Sequence, residues 1–266
     1  MKHKVICGIP TKNEELIINK TLKSLVQYCD TVLIYDDGST DKTEEICSSY
    51  DNVVWETRPP HDPYRREEAL QRFELLNLLG KYDPEYVLLL DADEIPTPNI
   101  VDFINNIDTD VDLWRTRMIN LWEDETKYRV DKFTTKYGTS VNWDPFDKNS
   151  WTKHVLMKYN KDIKYEYNLE IPHGGCSRYH PSPGNPGENV KEQEDFYTIH
   201  YGKLSPSYLN NDLNVLYSKF ESLDPRKVSQ PGRRTFDERL EWHTEHGRTD
   251  FLETKETEKD WFWENS

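Results

Sequence analysis

The segment that decides the fold spans residues 86–94 and has the sequence YVLLLDADE. Five apolar or aromatic residues lead directly into the carboxylates of Asp91, Asp93 and Glu94. A short, unbroken apolar run of this kind is typical of a strand buried at the centre of a parallel sheet. Carboxylates after such a strand are costly unless a positive charge meets them. A divalent cation that bridges them to a phosphorylated substrate accounts for the spacing, and a solvated acidic turn is the alternative.

The first hundred residues alternate strand patterns with helix patterns. Besides 86–90, strand patterns occupy residues 5–9, 31–35 and 53–55. We expect the first helix to start with a capping box formed by Thr11 and Glu14, and Thr40 or Asp41 to cap the second. The third is an amphipathic helix over residues 64–79. This β-α-β-α-β-α-β order predicts an α/β fold with a parallel sheet and right-handed crossovers.

The pattern is looser in the rest of the chain. We predict strands over residues 113–121, 155–157 and 196–201, and a helix over residues 205–223. The Gly- and Pro-rich stretch 173–187 predicts a loop. The charged tail ends in Trp261-Phe262-Trp263, which we expect to pack against the domain, with contact to a membrane edge or a partner as the alternative.

Composition excludes some classes of protein. The formal net charge of −15 over 266 residues argues against a non-specific nucleic-acid surface, but not against a nucleotide ligand. The four cysteines form no C-x-x-C pair, which favours free thiols in a reducing compartment. The N-terminus lacks the apolar core of a signal peptide, and no stretch approaches the roughly 20 apolar residues of a spanning helix. The sequence therefore predicts a cytoplasmic protein without a transmembrane segment.

Polar residues follow three of the predicted strands. In a parallel sheet these strand ends lie at one edge, where α/β proteins bind their ligands. This edge should gather Pro10-Thr11, Asp36-Asp37 and Asp91-Ala92-Asp93. No G-x-G-x-x-G follows the first strand, which argues against a dinucleotide-binding oxidoreductase, and the absence of G-x-x-x-x-G-K-[ST] excludes a P-loop NTPase.

Three motifs carry a resemblance to a known family. IPTKNEE at residues 9–15, DDGSTDKT at 36–43 and LDADE at 90–94 resemble glycosyltransferase family 2, whose members have the GT-A fold. The resemblance covers the first hundred residues. It implies a nucleotide-sugar-binding, Rossmann-like half over residues 1–110 and an acceptor-side half of the same domain over 111–223. A charged, Trp-containing extension over 224–266 would follow.

The resemblance implies a nucleotide pocket at the first two strand ends. Pro10, Thr11 and Glu15 would line this pocket. Asp36 or Asp37 would accept a hydrogen bond from the base, typically from the imide N–H of uracil, and Asp36 is slightly favoured.

The resemblance also implies a metal site at the Asp-Ala-Asp motif. Asp91, with Ala92 beside it, would lie near the ribose, and Asp93 would ligate Mn²⁺ or Mg²⁺ on the donor diphosphate. Glu94 is expected to be structural. His200 resembles the late histidine that completes the metal site in many GT-A enzymes. A satisfied core histidine is the alternative.

One arginine ahead of the metal strand would face the diphosphate. Of Arg65, Arg66 and Arg72, we favour Arg66. The alternative is that these arginines pair with neighbouring glutamates on a solvated helix face.

An inverting transferase needs a general base that deprotonates the acceptor hydroxyl. The resemblance places this base 70 to 110 residues after the metal motif, where Glu170 is the favoured candidate. Its rivals are Glu166, Glu192 and Asp195.

Together these features predict a metal-dependent, inverting glycosyltransferase. It would move a sugar from a nucleoside-diphosphate donor, with a UDP-sugar favoured, to a hydroxyl of a glycan or lipid-linked acceptor. Peripheral contact with a membrane is compatible with this function, and nucleic acid is not an expected partner. The alternatives are a sugar-phosphate nucleotidylyltransferase and a non-catalytic glycan-binding protein on a degenerate transferase fold.

Overall fold

A computed structural model describes residues 3–60, 68–164, 187–204 and 235–263, with positions 215, 218, 219 and 222 between them. Arg66 and Glu170 lie outside the described residues. So do the predicted loop up to residue 186 and most of the predicted helix 205–223.

Four parallel strands form the first half of the central sheet. They are β1 (Val5–Thr11), β2 (Thr31–Asp36), β3 (Val53–Thr57) and β4 (Tyr86–Leu89), in the spatial order β3-β2-β1-β4. The helices between them are α1 (Ile18–Leu25), α2 (Thr43–Cys47) and α3 (Glu68–Leu79). The predicted alternation and parallel pairing are thus confirmed. Thr11 pairs with Asp36 in the ladder, which brings the ends of the first two strands together.

The predicted capping box at Thr11 and Glu14 is wrong. Thr11 is the last residue of β1, because its backbone continues the parallel ladder to Asp36. The chain then turns through Asn13, which has a positive φ of 56°, and α1 begins only at Ile18. Tertiary pairing has overridden a local capping pattern here.

The start of the second helix involves Asp41 rather than Thr40. The helix begins at Thr43, and the Asp41 carboxylate accepts the backbone N–H of Thr43 at 3.0 Å. Thr40 instead donates its backbone N–H to Asn13 Oδ1 at 2.7 Å, within the neighbouring loop.

The second half of the chain extends the same sheet and adds short elements. These are β5 (Glu94–Pro96), α4 (Ile100–Asn105), β6 (Leu113–Trp122), β7 (Asp124–Arg129), β8 (Lys132–Thr134), β9 (Ser140–Asn142), β10 (Thr152–Lys158), β11 (Val190–Glu192), β12 (Thr198–His200), α5 (Phe236–His246) and β13 (Thr254–Glu256). Beyond β4 the sheet continues as β10-β6-β7-β13, and β10 is antiparallel to both β4 and β6. β12 lies between β6 and β5, parallel to the first and antiparallel to the second.

Both faces of the parallel strands are buried. Residues Val5, Cys7 and Ile9 of β1 pack in one apolar cluster with α1, and Ile6 packs in a second cluster with Leu75 and other residues of α3. Strands covered on both faces require a continuous apolar sequence, which is the pattern that the sequence shows.

The C-terminal aromatic residues pack on the domain, as expected. The Trp263 indole stacks on Tyr28 with ring centroids 5.5 Å apart, and its N–H donates to the Pro96 carbonyl at 2.7 Å. Trp261 is buried and meets Tyr128 edge to face at 5.3 Å. These contacts join the end of the chain to β5 and β7.

Candidate active site

The loops after β1 and β2 form one continuous rim at the edge of the sheet. The Asn13 backbone N–H donates to Ser39 Oγ at 2.8 Å, and the Glu14 N–H donates to Thr43 Oγ1 at 2.8 Å. Glu15 Oε2 accepts the Lys42 N–H at 3.0 Å, so its carboxylate ties the two loops together. The conformations of the motifs at residues 9–15 and 36–43 therefore depend on each other.

Asp36 and Asp37 differ in what their carboxylates can do. Asp36 is buried and accepts the backbone N–H groups of Gly38, at 2.9 Å, and Ser39, at 3.0 Å. Gly38 has a φ of +85°, which a residue with a side chain adopts at a cost. Asp36 thus holds the tight turn of its own loop.

Asp37 has the more accessible carboxylate of the two. Its side chain is 21% exposed, and its oxygens lie 3.5 Å from Arg58 Nη1 and 3.8 Å from Lys12 Nζ. Its backbone N–H donates to the Thr11 carbonyl at 2.8 Å. Asp37, more than the slightly favoured Asp36, presents a carboxylate that a ligand can approach.

Two buried cations hold Asp91. Arg72, on α3, contacts Oδ1, and Lys153 Nζ, on β10, lies 3.2 Å from Oδ2. Both basic side chains are less than one-tenth exposed. Of the three arginines that the sequence offered, Arg72 contacts the Asp-Ala-Asp motif. Arg65 and Arg66 lie outside the described residues. Lys153 was not singled out, and its signal is weak, because β10 also contains His154 and Lys158 and no spacing sets Lys153 apart from them.

Glu94 is a fully buried carboxylate beneath Asp91. Its Oε2 contacts Lys153 and accepts the Asp91 backbone N–H at 2.8 Å. Burial raises the pKa of the Glu94 carboxyl, while the adjacent Lys153 ammonium acts in the opposite direction. The structural role expected for Glu94 agrees with these contacts, since it fixes the turn that follows β4.

Asp93 and His200 form the second pair at this edge. The distance from His200 Nε2 to Asp93 Oδ2 is 3.3 Å. Asn120 Nδ2 faces the Met118 carbonyl at 3.5 Å, so Asn120 Oδ1 is the atom that meets His200 Nδ1, at 2.9 Å. Nδ1 then carries a hydrogen, and Nε2 is the ring atom that faces Asp93. A carboxylate oxygen and a ring nitrogen at this distance can share a proton or a cation between them.

The Asp93–His200 pair suits a divalent cation. Two ligand atoms at about 2.1 Å from one ion, and roughly at right angles, are about 3 Å apart, close to the observed separation. A Cβ built on Gly202 would lie 2.6 Å from both Asp93 Oδ2 and His200 Nε2, so this position must be small for the pair to form. No cluster of three or more His, Cys, Asp or Glu side chains encloses an ion among the described residues.

Gly202→Ala tests this geometry without removing a ligand atom. The added methyl group would displace Asp93 or His200, so we expect weaker activation by Mn²⁺ with little change in thermal stability. A titration of activity against Mn²⁺ concentration measures the first, and a melting curve measures the second. An unchanged Mn²⁺ dependence would contradict the geometry described above.

The remaining predicted site residues line the same edge through their backbone. Pro10 pairs with Tyr35 in the ladder, and Thr11 is buried. Ala92 is buried, and its carbonyl accepts the Thr21 hydroxyl at 2.6 Å.

Two rivals for the catalytic base lie within the described residues. The Glu192 carboxylate accepts from Arg117 Nε at 2.6 Å, which commits it to an ion pair. Asp195 is exposed. The favoured Glu170 stays a prediction.

The sheet order β3-β2-β1-β4, the antiparallel β10 and the acidic strand ends define an α/β protein of the GT-A fold. Residues 7–180 match the model of glycosyl transferase family 2, and the chain belongs to this family.

Known proteins resemble parts of this chain. A lipopolysaccharide core biosynthesis glycosyltransferase, LpsC of Rhizobium meliloti (strain 1021), is 32% identical over 82 residues, or 31% of this chain and 28% of LpsC. The match thus spans under a third of that relative. The S. aureus TarS structure is 16% identical with a TM-score of 0.49, over 86% of this chain and 46% of TarS. Residues 1–349 of TarS in complex with UDP-GlcNAc are 17% identical with a TM-score of 0.47, over 82% of this chain and 66% of that one.

Across the part of the chain that the structure describes, every helix is too short or too polar to cross a bilayer.

Proposed function

We propose that this chain is a metal-dependent, inverting glycosyltransferase that uses a nucleoside-diphosphate sugar, with a UDP-sugar favoured. The acceptor would be a hydroxyl of a glycan or a lipid-linked sugar. The observation that carries this proposal is the Asp93–His200 pair. It lies at the same edge of the sheet as the rim formed by the loops after β1 and β2. Membership of glycosyltransferase family 2 supports the reaction class.

In this proposal the rim binds the nucleoside. Asp37 would accept the imide N–H of uracil, because its carboxylate is the accessible one, while Asp36 is occupied by its own turn. Thr11, Pro10 and Glu15 would shape the pocket through the backbone of the first loop.

Asp37→Ala should lower UDP affinity by about tenfold, since a hydrogen bond to a charged group is lost. CDP has no imide N–H, so we expect its affinity to change little and the preference for UDP over CDP to disappear. Calorimetric titration with both nucleotides measures this difference. Asp36→Ala is the comparison, and it should reduce thermal stability more than Asp37→Ala does. If the preference for UDP over CDP disappears in Asp36→Ala but persists in Asp37→Ala, the assignment of Asp37 is refuted.

Asp93 and His200 would hold Mn²⁺ or Mg²⁺ in this proposal. The ion supplies charge neutralisation to the departing nucleoside diphosphate when it is bound. Asn120 orients the imidazole, and Gly202 gives the pair its space. Arg72 and Lys153 fix Asp91, so that this carboxylate faces the donor in one orientation.

Glu170 remains the proposed general base. It would take the proton from the acceptor hydroxyl as that oxygen attacks the anomeric carbon, while the nucleoside diphosphate leaves from the opposite side. Glu170→Gln should abolish transfer and leave UDP affinity unchanged.

A donor panel separates this function from its alternatives. We expect one of the UDP-, GDP- or dTDP-sugars to be hydrolysed or transferred in the presence of Mn²⁺, and chelation by EDTA to stop the reaction. Pyrophosphate release from a nucleoside triphosphate and a sugar 1-phosphate would instead identify a nucleotidylyltransferase. Metal-independent glycan binding without turnover would identify a non-catalytic protein.

A further inference from the structure

A second pocket lies away from the candidate active site. It has a volume of about 260 Å³ and lies among α1, the β5–β12 ribbon and the C-terminal aromatic residues. Its walls include Tyr201, Trp261 and Trp263. Three polar side chains stand beside them: Lys20 and Lys23 of α1, and Gln27 just after this helix. No step of the proposed reaction uses it.

This pocket and the Asp93–His200 pair occupy opposite faces of one ribbon. In the antiparallel β5–β12 ladder, Glu94 pairs with His200 and Ile95 pairs with Ile199. Side chains alternate between the two faces of a strand. His200 and Glu94 therefore face the candidate active site, while Ile95 and Ile199 line the pocket behind it.

The aromatic walls are held in place by their own contacts. Trp263 is fixed by its stacking on Tyr28 and by its hydrogen bond to the Pro96 carbonyl, 2.7 Å long. Trp261 packs edge to face on Tyr128. A pocket with rigid aromatic faces is pre-organised, so a ligand pays little to order it.

On the polar side of the pocket, one positive charge has no ion-pair partner among the residues that the structure describes. Lys20 is paired with Glu125 and lies 5.4 Å from the centre of the Tyr201 ring. Lys23 is exposed and makes no ion pair with any described residue. Gln27 Nε2 donates to the Lys23 carbonyl at 2.9 Å, which leaves its amide oxygen for a ligand hydroxyl.

We propose that this pocket is a carbohydrate site for a single sugar residue that bears a carboxylate, as in a hexuronate unit of a glycan. The apolar face of the ring would pack against the tryptophans, and the carboxylate would meet Lys23. A single lysine that is unpaired within the described part of the chain complements one negative charge better than a phosphate dianion. The volume is below the roughly 300–1,000 Å³ of pockets for drug-sized ligands, which suits one ring.

The test observes the pocket directly and needs no transferase activity. The full chain is labelled with 5-fluorotryptophan, and the ¹⁹F signals of Trp261 and Trp263 are assigned with Trp→Phe variants. Glucuronate and glucose are titrated in parallel. We expect saturable shifts of these two signals with glucuronate, at least about fivefold weaker binding of glucose, and the same binding in Asp93→Ala.

Lys23→Glu should weaken glucuronate binding by about fivefold or more, while Lys161→Glu, the same charge change on an exposed loop lysine, should not. The proposal is overturned if glucose binds as well as glucuronate, if Lys23→Glu binds like the wild type, or if the Trp261 and Trp263 signals do not move. Shifts caused only by phospholipid vesicles would also overturn it, in favour of a membrane contact.

Discussion

Asp93→Ala is expected to lower turnover of the nucleotide-sugar donor by more than about 100-fold, because it removes a proposed metal ligand outright. Asn120→Ala removes only the amide oxygen that lies 2.9 Å from His200 Nδ1 and orients the imidazole. Turnover should therefore fall less in this variant, by about 10- to 100-fold. Initial rates over a range of Mn²⁺ concentrations measure both effects. The loss in Asn120→Ala should shrink at high Mn²⁺, whereas that in Asp93→Ala should not.

Asp162→Ala is a matched control for the first of these variants. It makes the same chemical change at an exposed loop position after β10, so its rate should equal that of the wild type. Melting curves should show all three variants folded. If Asp93→Ala retains wild-type turnover, the proposed role of this carboxylate is wrong.

Lys153→Met is expected to cost about 3–5 kcal/mol of unfolding free energy at neutral pH. Lys153 is 3% exposed and Glu94 is fully buried, so the substitution leaves a buried carboxylate without its ammonium partner. Lys158→Met on the same strand is the control, because the Lys158 side chain is exposed and its loss should cost within about 0.5 kcal/mol. Urea denaturation measures both.

The effect of Lys153→Met should depend on pH. Burial already raises the pKa of Glu94, and Lys153 is the largest influence that lowers it, so the variant should raise this pKa further. A carboxyl whose pKa is higher in the folded state binds its proton more tightly there, so stability falls as pH rises from the unfolded pKa to the folded pKa. The stability lost in Lys153→Met should therefore be greatest at pH values above the folded-state pKa of Glu94. The loss should shrink as pH falls towards the unfolded-state pKa, about 4.3.

Lys153→Met combined with Glu94→Gln should recover much of the lost stability. The amide keeps an acceptor for the Asp91 N–H and removes the buried charge. A double variant as unstable as Lys153→Met alone, or a deficit that does not change with pH, would show that packing of the lysine stem rather than charge is responsible.

The sequence predicted the parallel half of the fold because its strands carry their own signal. Strands buried on both faces need unbroken apolar runs, and β1, β2 and β4 have them. The edge at which their polar ends meet then follows from chain direction alone. β5, β8, β9 and β11 are three residues each, too short for periodicity to identify.

The site was predicted less completely than the fold. Asp91 and Asp93 were visible as a motif, but Lys153 reaches Asp91 from 62 residues further along the chain. That contact exists because β10 lies antiparallel between β4 and β6. The pattern of apolar and polar residues within a segment does not show which strands it will pair with. The sequence left the choice between Asp36 and Asp37 open for a related reason: it depends on which side chain closes the Gly38 turn.

The measurement that tests the central proposal most directly is calorimetric titration of UDP into the protein with Mn²⁺ and again with EDTA. If Asp93 and His200 bind the metal that meets the diphosphate, UDP should bind at least about tenfold more tightly with Mn²⁺. Asp93→Ala should remove that difference. Equal UDP affinity in Mn²⁺ and EDTA for the unaltered chain would contradict the proposed metal site.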